Sequence, residues 1–290
     1  MNFLDRRGFS VWLAGVAVIG FLLMHTYGTV APYRDSGDLA ASAYSLGVAH
    51  PPGYALYTLT GKIVVTMFPA GNPAYRANLL SVFCTAGVIA LFLSVFAGMF
   101  RFSSMLFALL VWLFSSSVWR LSMLSEMYTL NALFCAVIMA VALRDIASRG
   151  EISENGLRLC SFVIGFGSVN HPTLVFLAPG LAILRWMQGP RGAVQLVRSV
   201  VGYLLFGLLG FSLILYYPVR SFQQPLIDWG NPENLRNLWR LITRADYGGL
   251  KLHPEESQFV WTAQGVSEQM GLFLRAEISE LKIWGAILSV

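Results

Sequence analysis

Apolar residues run along this chain in long blocks, and most polar residues fall between them. A helix crossing a bilayer core of about 30 Å needs roughly 20 mainly apolar residues. The first block, Val11 to Met24, predicts a span over about residues 9–30. It follows Arg6-Arg7 as a signal sequence would. It is long for one, however, and His25-Thr26-Tyr27 is a poor cleavage site, so it reads as an uncleaved span. Later blocks predict spans over about 78–100, 102–117, 129–143, 159–170, 172–186 and 199–217. Leu281 to Val290 reads as the start of an eighth, so the chain is expected to be a truncated product.

Residues 31–77 break the pattern. Tyr54 to Phe68 is apolar but short, and Lys62 lies at its middle. The stretch therefore reads as an outer loop carrying one or two helices along the membrane interface. The rival is a short span there, which would invert everything downstream. Charge favours the loop: with it, Arg6, Arg7, Arg101, Arg144, Arg149, Arg158, Arg185, Arg191 and Arg198 all face inward. The N-terminus is then cytoplasmic, and the protein is multi-pass in a plasma or inner membrane. The expected layout is a transmembrane bundle over 1–217 with a first extracytoplasmic loop at 31–77. An extracytoplasmic segment follows over 218–280, then the new span from 281.

Composition agrees with a bilayer environment. Hydrophobic residues make up 56% of the 290, charged residues 12%, and the mean hydropathy is +0.62. Soluble domains carry about twice that charged share. The net charge of +5 comes from dispersed basic residues and gives no nucleic-acid footprint. Cys84, Cys135 and Cys160 sit inside apolar runs and read as small buried hydrophobes. No CxxC, HExxH or Gly-rich phosphate loop occurs.

With the loop threading, five polar clusters share one face: Tyr33-Arg34-Asp35-Ser36-Gly37-Asp38, His50-Pro51-Pro52-Gly53-Tyr54, Ser125 to Asn131, Asn170-His171, and Tyr217-Pro218-Val219-Arg220. Each has a structural explanation. Asp35 and Asp38 suit a helix N-terminus, and so does Glu126. His50-Pro51-Pro52-Gly53 suits a helix break, Asn170-His171 a buried helix end, and Arg220 an interfacial anchor. Together they offer more. Carboxylates can position an attacking hydroxyl and take its proton. Arginine and histidine can stabilise a departing phosphate. Nucleotide donors are cytosolic and no nucleotide motif is present, so a lipid-linked phosphate is the natural donor.

The same residues carry a family resemblance. Tyr33-Arg34-Asp35-Ser36-Gly37-Asp38-Leu39-Ala40-Ala41 and Leu46-Gly47-Val48-Ala49-His50-Pro51-Pro52-Gly53-Tyr54 resemble the signature of the membrane family called domain of unknown function 2723. Glu126-Met127-Tyr128-Thr129-Leu130-Asn131, Asn170-His171, Tyr217-Pro218-Val219-Arg220 and Trp229-Gly230-Asn231-Pro232 support it. That family is similar to the GT-C class of glycosyltransferases and includes an animal protein O-mannosyltransferase. The resemblance implies an all-α polytopic transmembrane helix bundle of GT-C type, with interfacial helices in the first outer loop. It implies transfer of mannose or another hexose from a polyprenyl-phosphate donor to a protein or glycan hydroxyl outside the cytosol. Asp35 matches the essential acidic residue of the first outer loop. Asp38 stands where family members often have Glu, and Ala55 where Pro is common.

The expected catalytic set is Asp35, supported by Asp38 and Glu126. The expected substrate-binding set is Arg34, His50, Tyr54, Tyr128, Asn131, Asn170, His171 and Arg220. No metal ligand set is evident, although paired acids leave room for a divalent metal. The expected partners are the lipid-linked donor, its acceptor and membrane lipid, with no nucleic acid. The alternative is a transporter or lipid flippase, which needs ionisable groups near the midplane. A third reading is a scaffold that docks through 218–280.

Overall fold

The structure is a computed structural model and describes residues 6–96, 101–189, 192–249 and 262–288. Regular structure among the described residues is entirely helical, with one isolated bridge between Val48 and Asp228. In chain order the helices are α1 (Arg6–His25), α2 (Ser36–Ser45), α3 (Ala55–Met67), α4 (Pro73–Phe96), α5 (Phe102–Leu113), α6 (Ser116–Leu121), α7 (Tyr128–Arg149), α8 (Glu154–Ser168), α9 (Ala178–Met187), α10 (Ala193–Phe211), α11 (Tyr216–Ser221), α12 (Leu235–Ile242) and α13 (Ala263–Leu288). Short 3-10 turns cover Pro172–Leu177, Ser212–Leu215 and Ala245–Tyr247.

Three stretches among the described residues are long and apolar enough to cross a membrane: Pro73–Phe96, Tyr128–Arg149 and Ala193–Ser221. Four shorter apolar helical stretches accompany them: Gly15–His25, Ala55–Met67, Ser103–Leu113 and Pro172–Met187. These features make the chain a membrane protein. At 1.5 Å per residue, the 13 residues of α3 rise about 20 Å, less than the hydrocarbon core. This length suits the interfacial placement. The helix is wedged between α2 and α4, where Gly61 lets Ala43 approach.

Helix ends differ from the hydropathy blocks for local reasons. The block at 102–117 ends early, at Leu113, because the chain turns extended at Ser115, whose hydroxyl donates back to the Trp112 carbonyl, before α6 begins. Helix α7 continues past Arg144 and Asp145 until Gly150 closes it in the left-handed region at φ 77°. Helix α8 begins at Glu154, where Ser153 accepts a hydrogen bond from the Gly156 amide. Helix α13 begins at Ala263, well before the apolar start at Leu281. Its first turns hold Gln264, Glu268 and Gln269, which favour helix without being apolar.

Helices α8 and α10 pack most closely. A Cβ on Gly165 would strike the Gly207 carbonyl, and one on Gly210 would strike the Phe162 carbonyl. Small residues allow this backbone approach between membrane helices. Helix α7 lies against both α4 and α8. The loops at 26–35, 46–54, 122–127 and 169–171 therefore meet at one end of the bundle. The charged corner between α7 and α8 lies at the other.

Candidate active site

Helix α4 reads as an apolar span, yet its first turns carry Asn78, Ser81 and Thr85 on one face, all buried. Asn78 Nδ2 donates to the Tyr27 and Thr29 carbonyls, and its Oδ1 accepts from Ser125 Oγ at 2.6 Å. Ser81 Oγ donates to the Leu124 carbonyl, and Thr85 Oγ1 donates to Ser122 Oγ. These bonds pin the loop before α7 and the loop after α1 side by side. Glu126 is thereby held with no exposed surface. Its Oε1 accepts from the Asp35 amide at 3.2 Å, while Oε2 has no hydrogen-bond partner. Burial, then the nearby Asp35 charge, pushes the Glu126 carboxyl up to about 7.

Asp35 stands at the N-cap of α2 but makes no capping bond. Asp38, in the first turn, is also turned elsewhere: its Oδ2 accepts from the His50 amide at 3.1 Å and from His50 Nδ1 at 2.6 Å. His50 Nε2 lies 3.4 Å from Asp35 Oδ2. The imidazole thus bridges the two aspartates. Burial pulls its pKa down, but the bonds to Asp35 and Asp38 outweigh this and raise it to about 9. At neutral pH it is an imidazolium. In return, the His50 bond lowers the Asp35 pKa against the opposing effect of burial. Asp35 remains an ionised carboxylate with 37% of its side chain exposed.

Local backbone geometry aims the loop that carries His50. Gly53 has φ 100° and faces the Tyr217 ring, which a Cβ would strike. The Tyr217 hydroxyl accepts from the Ala55 amide at the start of α3. Tyr54 is left-handed at φ 49° and tilts its ring over His50 at 5.1 Å and towards His171 at 6.4 Å. Burial, reinforced by the Asp35 charge, raises the Tyr54 phenol and keeps it neutral. Six non-glycine residues among those described have positive φ, and three of them are Arg34, Tyr54 and Arg244. Backbone strain of this kind persists where surrounding contacts over-determine it, often at sites of function.

The remaining expected residues divide. Tyr128 opens α7, and its ring lies 5.6 Å from His171. Asn131 reaches Thr173 at 3.4 Å, and its Oδ1 has no partner. Asn170 is fully buried and donates to the Met127 carbonyl, which fixes the end of α8 against the Glu126 loop. His171 shares a hydrogen with Thr173 at 2.7 Å. Burial, then the Arg244 charge, lowers its pKa and leaves it neutral. Arg34 joins the group, with its charge felt by Asp35, Glu126 and Tyr128. Arg220 does not join it. Its Nε and one terminal nitrogen donate to the Leu46 and Ser45 carbonyls, so it caps the left-handed end of α2. His50 likewise has both ring nitrogens turned to carboxylates.

Two residues absent from the expected set come from the polar segment after α11. Asp228 bridges Val48, the Ile227 carbonyl accepts from the Val48 amide, and the Trp229 amide donates back to the Val48 carbonyl. Helix α12 docks Leu241, and the chain then turns at left-handed Arg244, φ 54°. The Arg244 charge reaches Asp35, Tyr54 and His171. Its Nε is buried without a hydrogen-bond partner, and its guanidinium lies over the Tyr247 ring at 6.0 Å. Tyr247 in turn lies 6.4 Å from His50. Nothing in the sequence near Arg244 marks it, since its neighbours are ordinary turn residues.

The assembled group holds one accessible carboxylate, a second acid that titrates near neutrality, and two guanidinium groups. Among the described residues, no three His, Cys, Asp or Glu side chains are arranged to hold a metal ion.

Residues 35–191 match the family model described as the protein O-mannosyl-transferase TMEM260 N-terminal domain. The chain is 32% identical over 260 residues to a protein O-mannosyl-transferase TMEM260 of Mus musculus, a match covering 86% of this chain and 36% of the relative. It is 27% identical over 237 residues to the protein O-mannosyl-transferase tmem260 of Dictyostelium discoideum, covering 76% and 28%. The chain thus spans about a third of the length of these relatives. No solved structure matches it. The family model begins at Asp35, takes in His50, Glu126 and His171, and covers more than half of the 290 residues, so this chain belongs to the family of the TMEM260 N-terminal domain.

Proposed function

We propose that this chain is the catalytic membrane portion of a glycosyltransferase that moves mannose, or a similar hexose, onto a protein hydroxyl. The donor in this reading is a polyprenyl-phosphate sugar, and the site faces away from the cytosol in a GT-C-like bundle. The observation that carries it is the Asp35–His50–Asp38 arrangement: an ionised, partly exposed carboxylate held by a half-buried imidazolium. Names of the relatives support the sugar and the acceptor class. The arginine-rich N-terminus and inner loops support the sidedness.

In this mechanism Asp35 accepts the proton of the acceptor hydroxyl as its oxygen attacks the anomeric carbon. The bond from that carbon to the phosphate oxygen breaks, and polyprenyl phosphate leaves with the electron pair. Arg34 and Arg244 offset the charge that builds on the phosphate. His50 and Asp38 hold the Asp35 carboxylate in one orientation, while Tyr54, Tyr128 and His171 form the walls. Glu126 sits behind Asp35 and acts through its backbone amide.

The test is mass spectrometry of secreted and surface proteins from cells carrying the full-length protein, the deleted gene, or Asp35→Asn. The variant should lose the same hexose-modified peptides as the deletion, a fall of about 10³-fold, while still folding and reaching the membrane. Unchanged modification in Asp35→Asn overturns the assignment.

A further inference from the structure

Helix α12 has two apolar sides. Leu238 and Leu241 form one and pack into the cluster around Val48, Ala55 and Tyr217. Leu235 and Trp239, one turn apart, form the other and are 84% and 68% exposed. Docking on the bundle explains the first side only. It does not require a leucine and a tryptophan standing open beside it. Arg236 and Arg240, also one turn apart and exposed, border the open side. The loop before the helix adds Phe222 and Leu226, and Leu226 is 92% exposed.

This open surface continues a lipid-facing one. The span Ala193–Ser221 ends where the chain reaches Phe222, and its last turns already expose Leu215 and Val219. Ser221 Oγ lies 2.8 Å from Asp228 Oδ2 and 3.1 Å from Asn231 Oδ1, so the loop folds back onto the end of the span. Asn237 Nδ2 donates to the Asn231 carbonyl and ties α12 to that loop. The helix is thereby held near the level where the chain leaves the hydrocarbon. Its 8 residues rise about 12 Å and carry two arginines, so it cannot cross a bilayer.

We propose that α12 and the loop before it are seated in the phospholipid leaflet at the Glu126 end of the bundle, with Phe222, Leu226, Leu235 and Trp239 among the lipids and Arg236 at their phosphates. Two features select a lipid surface as the occupant. The apolar residues extend the lipid-facing surface of the span. A tryptophan beside arginines is the pairing that membrane interfaces favour, since the indole sits at headgroup depth and the guanidinium groups meet phosphate. The seat also governs the site. Thr243 alone separates α12 from Arg244, and Arg240 pairs with Asp246 across that turn. Anchoring α12 in the leaflet therefore fixes the height of Arg244, whose charge reaches Asp35.

The test uses full-length protein in phosphatidylcholine vesicles, with photoreactive benzoylphenylalanine replacing Leu226, Leu235 or Trp239. Ala245, exposed in the turn beyond α12, is replaced as the control. After irradiation, mass spectrometry should find phosphatidylcholine adducts at the first three positions, about tenfold above the control. Cross-links to peptides of the same chain or of a second copy, in place of lipid, overturn the seat and make the face a protein contact. Absence of adducts at Leu235 and Trp239 overturns it as well, because a face open to water meets no lipid. A second measurement addresses Arg244. Leu235→Gln with Trp239→Gln should keep its Tm in detergent, since both side chains are exposed, and in vesicles should speed amide exchange over residues 243–249 about tenfold. Unchanged exchange there overturns the link between the seat and Arg244.

Discussion

The two ends of α7 carry comparable clusters of acids, hydroxyls and arginines, yet they are wired differently. At the corner between α7 and α8, Asp145 Oδ2 accepts from Ser153 Oγ at 2.6 Å and from the Ser153 amide at 3.0 Å. Glu154 accepts from Ser199 and Tyr203, and Arg185 Nε lies 3.7 Å from it. These contacts cap helices and tie α8 to α10. At the Glu126 end, polar groups remain unspent. Glu126 Oε2, Asn131 Oδ1, Asn170 Oδ1 and Arg244 Nε are buried without hydrogen-bond partners. An unsatisfied buried polar group costs about 1–3 kcal/mol, and more if charged. Arg185 Nε also lacks a hydrogen bond, but a carboxylate stands beside it. The first cluster spends its groups on tying helices together, whereas the second leaves hydrogen-bonding groups without partners in the protein.

The sharpest way to break this contrast lies at His50. His50→Gln removes the cation that bridges Asp35 and Asp38 and leaves only the more distant Arg34 and Arg244 charges to offset the acids. Transfer should fall about 100-fold, with a changed pH profile, because a positioning residue acts through the Asp35 charge. Loss of transfer with an unshifted profile would reduce His50 to a packing role. Arg244→Ala should come next. It removes a cation whose charge reaches Asp35 and which makes no salt bridge among the described residues, so donor affinity should weaken about tenfold with little change in Tm. A large drop in Tm with normal donor affinity would mark Arg244 as structural instead.

Stability against pH gives a smaller and independent reading. The His50 pKa is raised from 6.5 to about 9, so the folded state holds its proton more tightly than the unfolded chain. That contribution is full below pH 6.5 and is lost as pH rises through about 9. The Glu126 carboxyl is raised from 4.5 to about 7, which also makes stability fall with rising pH across that window. Asp35, lowered by His50, works the opposite way below its usual 3.8. Tm should therefore decline from about pH 6 to pH 9, and His50→Gln should flatten the upper half of the decline. A flat wild-type profile would contradict the imidazolium bridge. The smallest effect belongs to the other end of α7. Glu154→Gln should cost about 1 kcal/mol and leave transfer unchanged. A loss of transfer there would erase the distinction between the two ends.

Much of this arrangement is legible in the residues, and the parts that are not share a cause. Hydrophobic blocks locate helices because a bilayer demands apolar length, and the blocks around α4, α7 and α10 do so plainly. Helix ends are less legible: hydropathy responds to polarity, whereas ends are set by caps such as Ser153 and Gly150. Asn78, Ser81 and Thr85 gave a faint signal as polar residues at helical spacing inside an apolar run.

The order of residues by itself determined that this chain lives in a membrane, that its breaks are polar, and that Asp35, Asp38 and His50 are unusual enough to notice. Only tertiary structure decided what each does. Asp35 does not cap its helix, Arg220 spends its donors on the end of α2, and Arg244 arrives from more than 200 residues away to bring its charge within reach of Asp35. The reason is the range of the forces involved. Burial of apolar length acts on each segment separately and is written locally. Hydrogen bonds and ion pairs depend on ångström distances between segments, which exist only once the helices have packed.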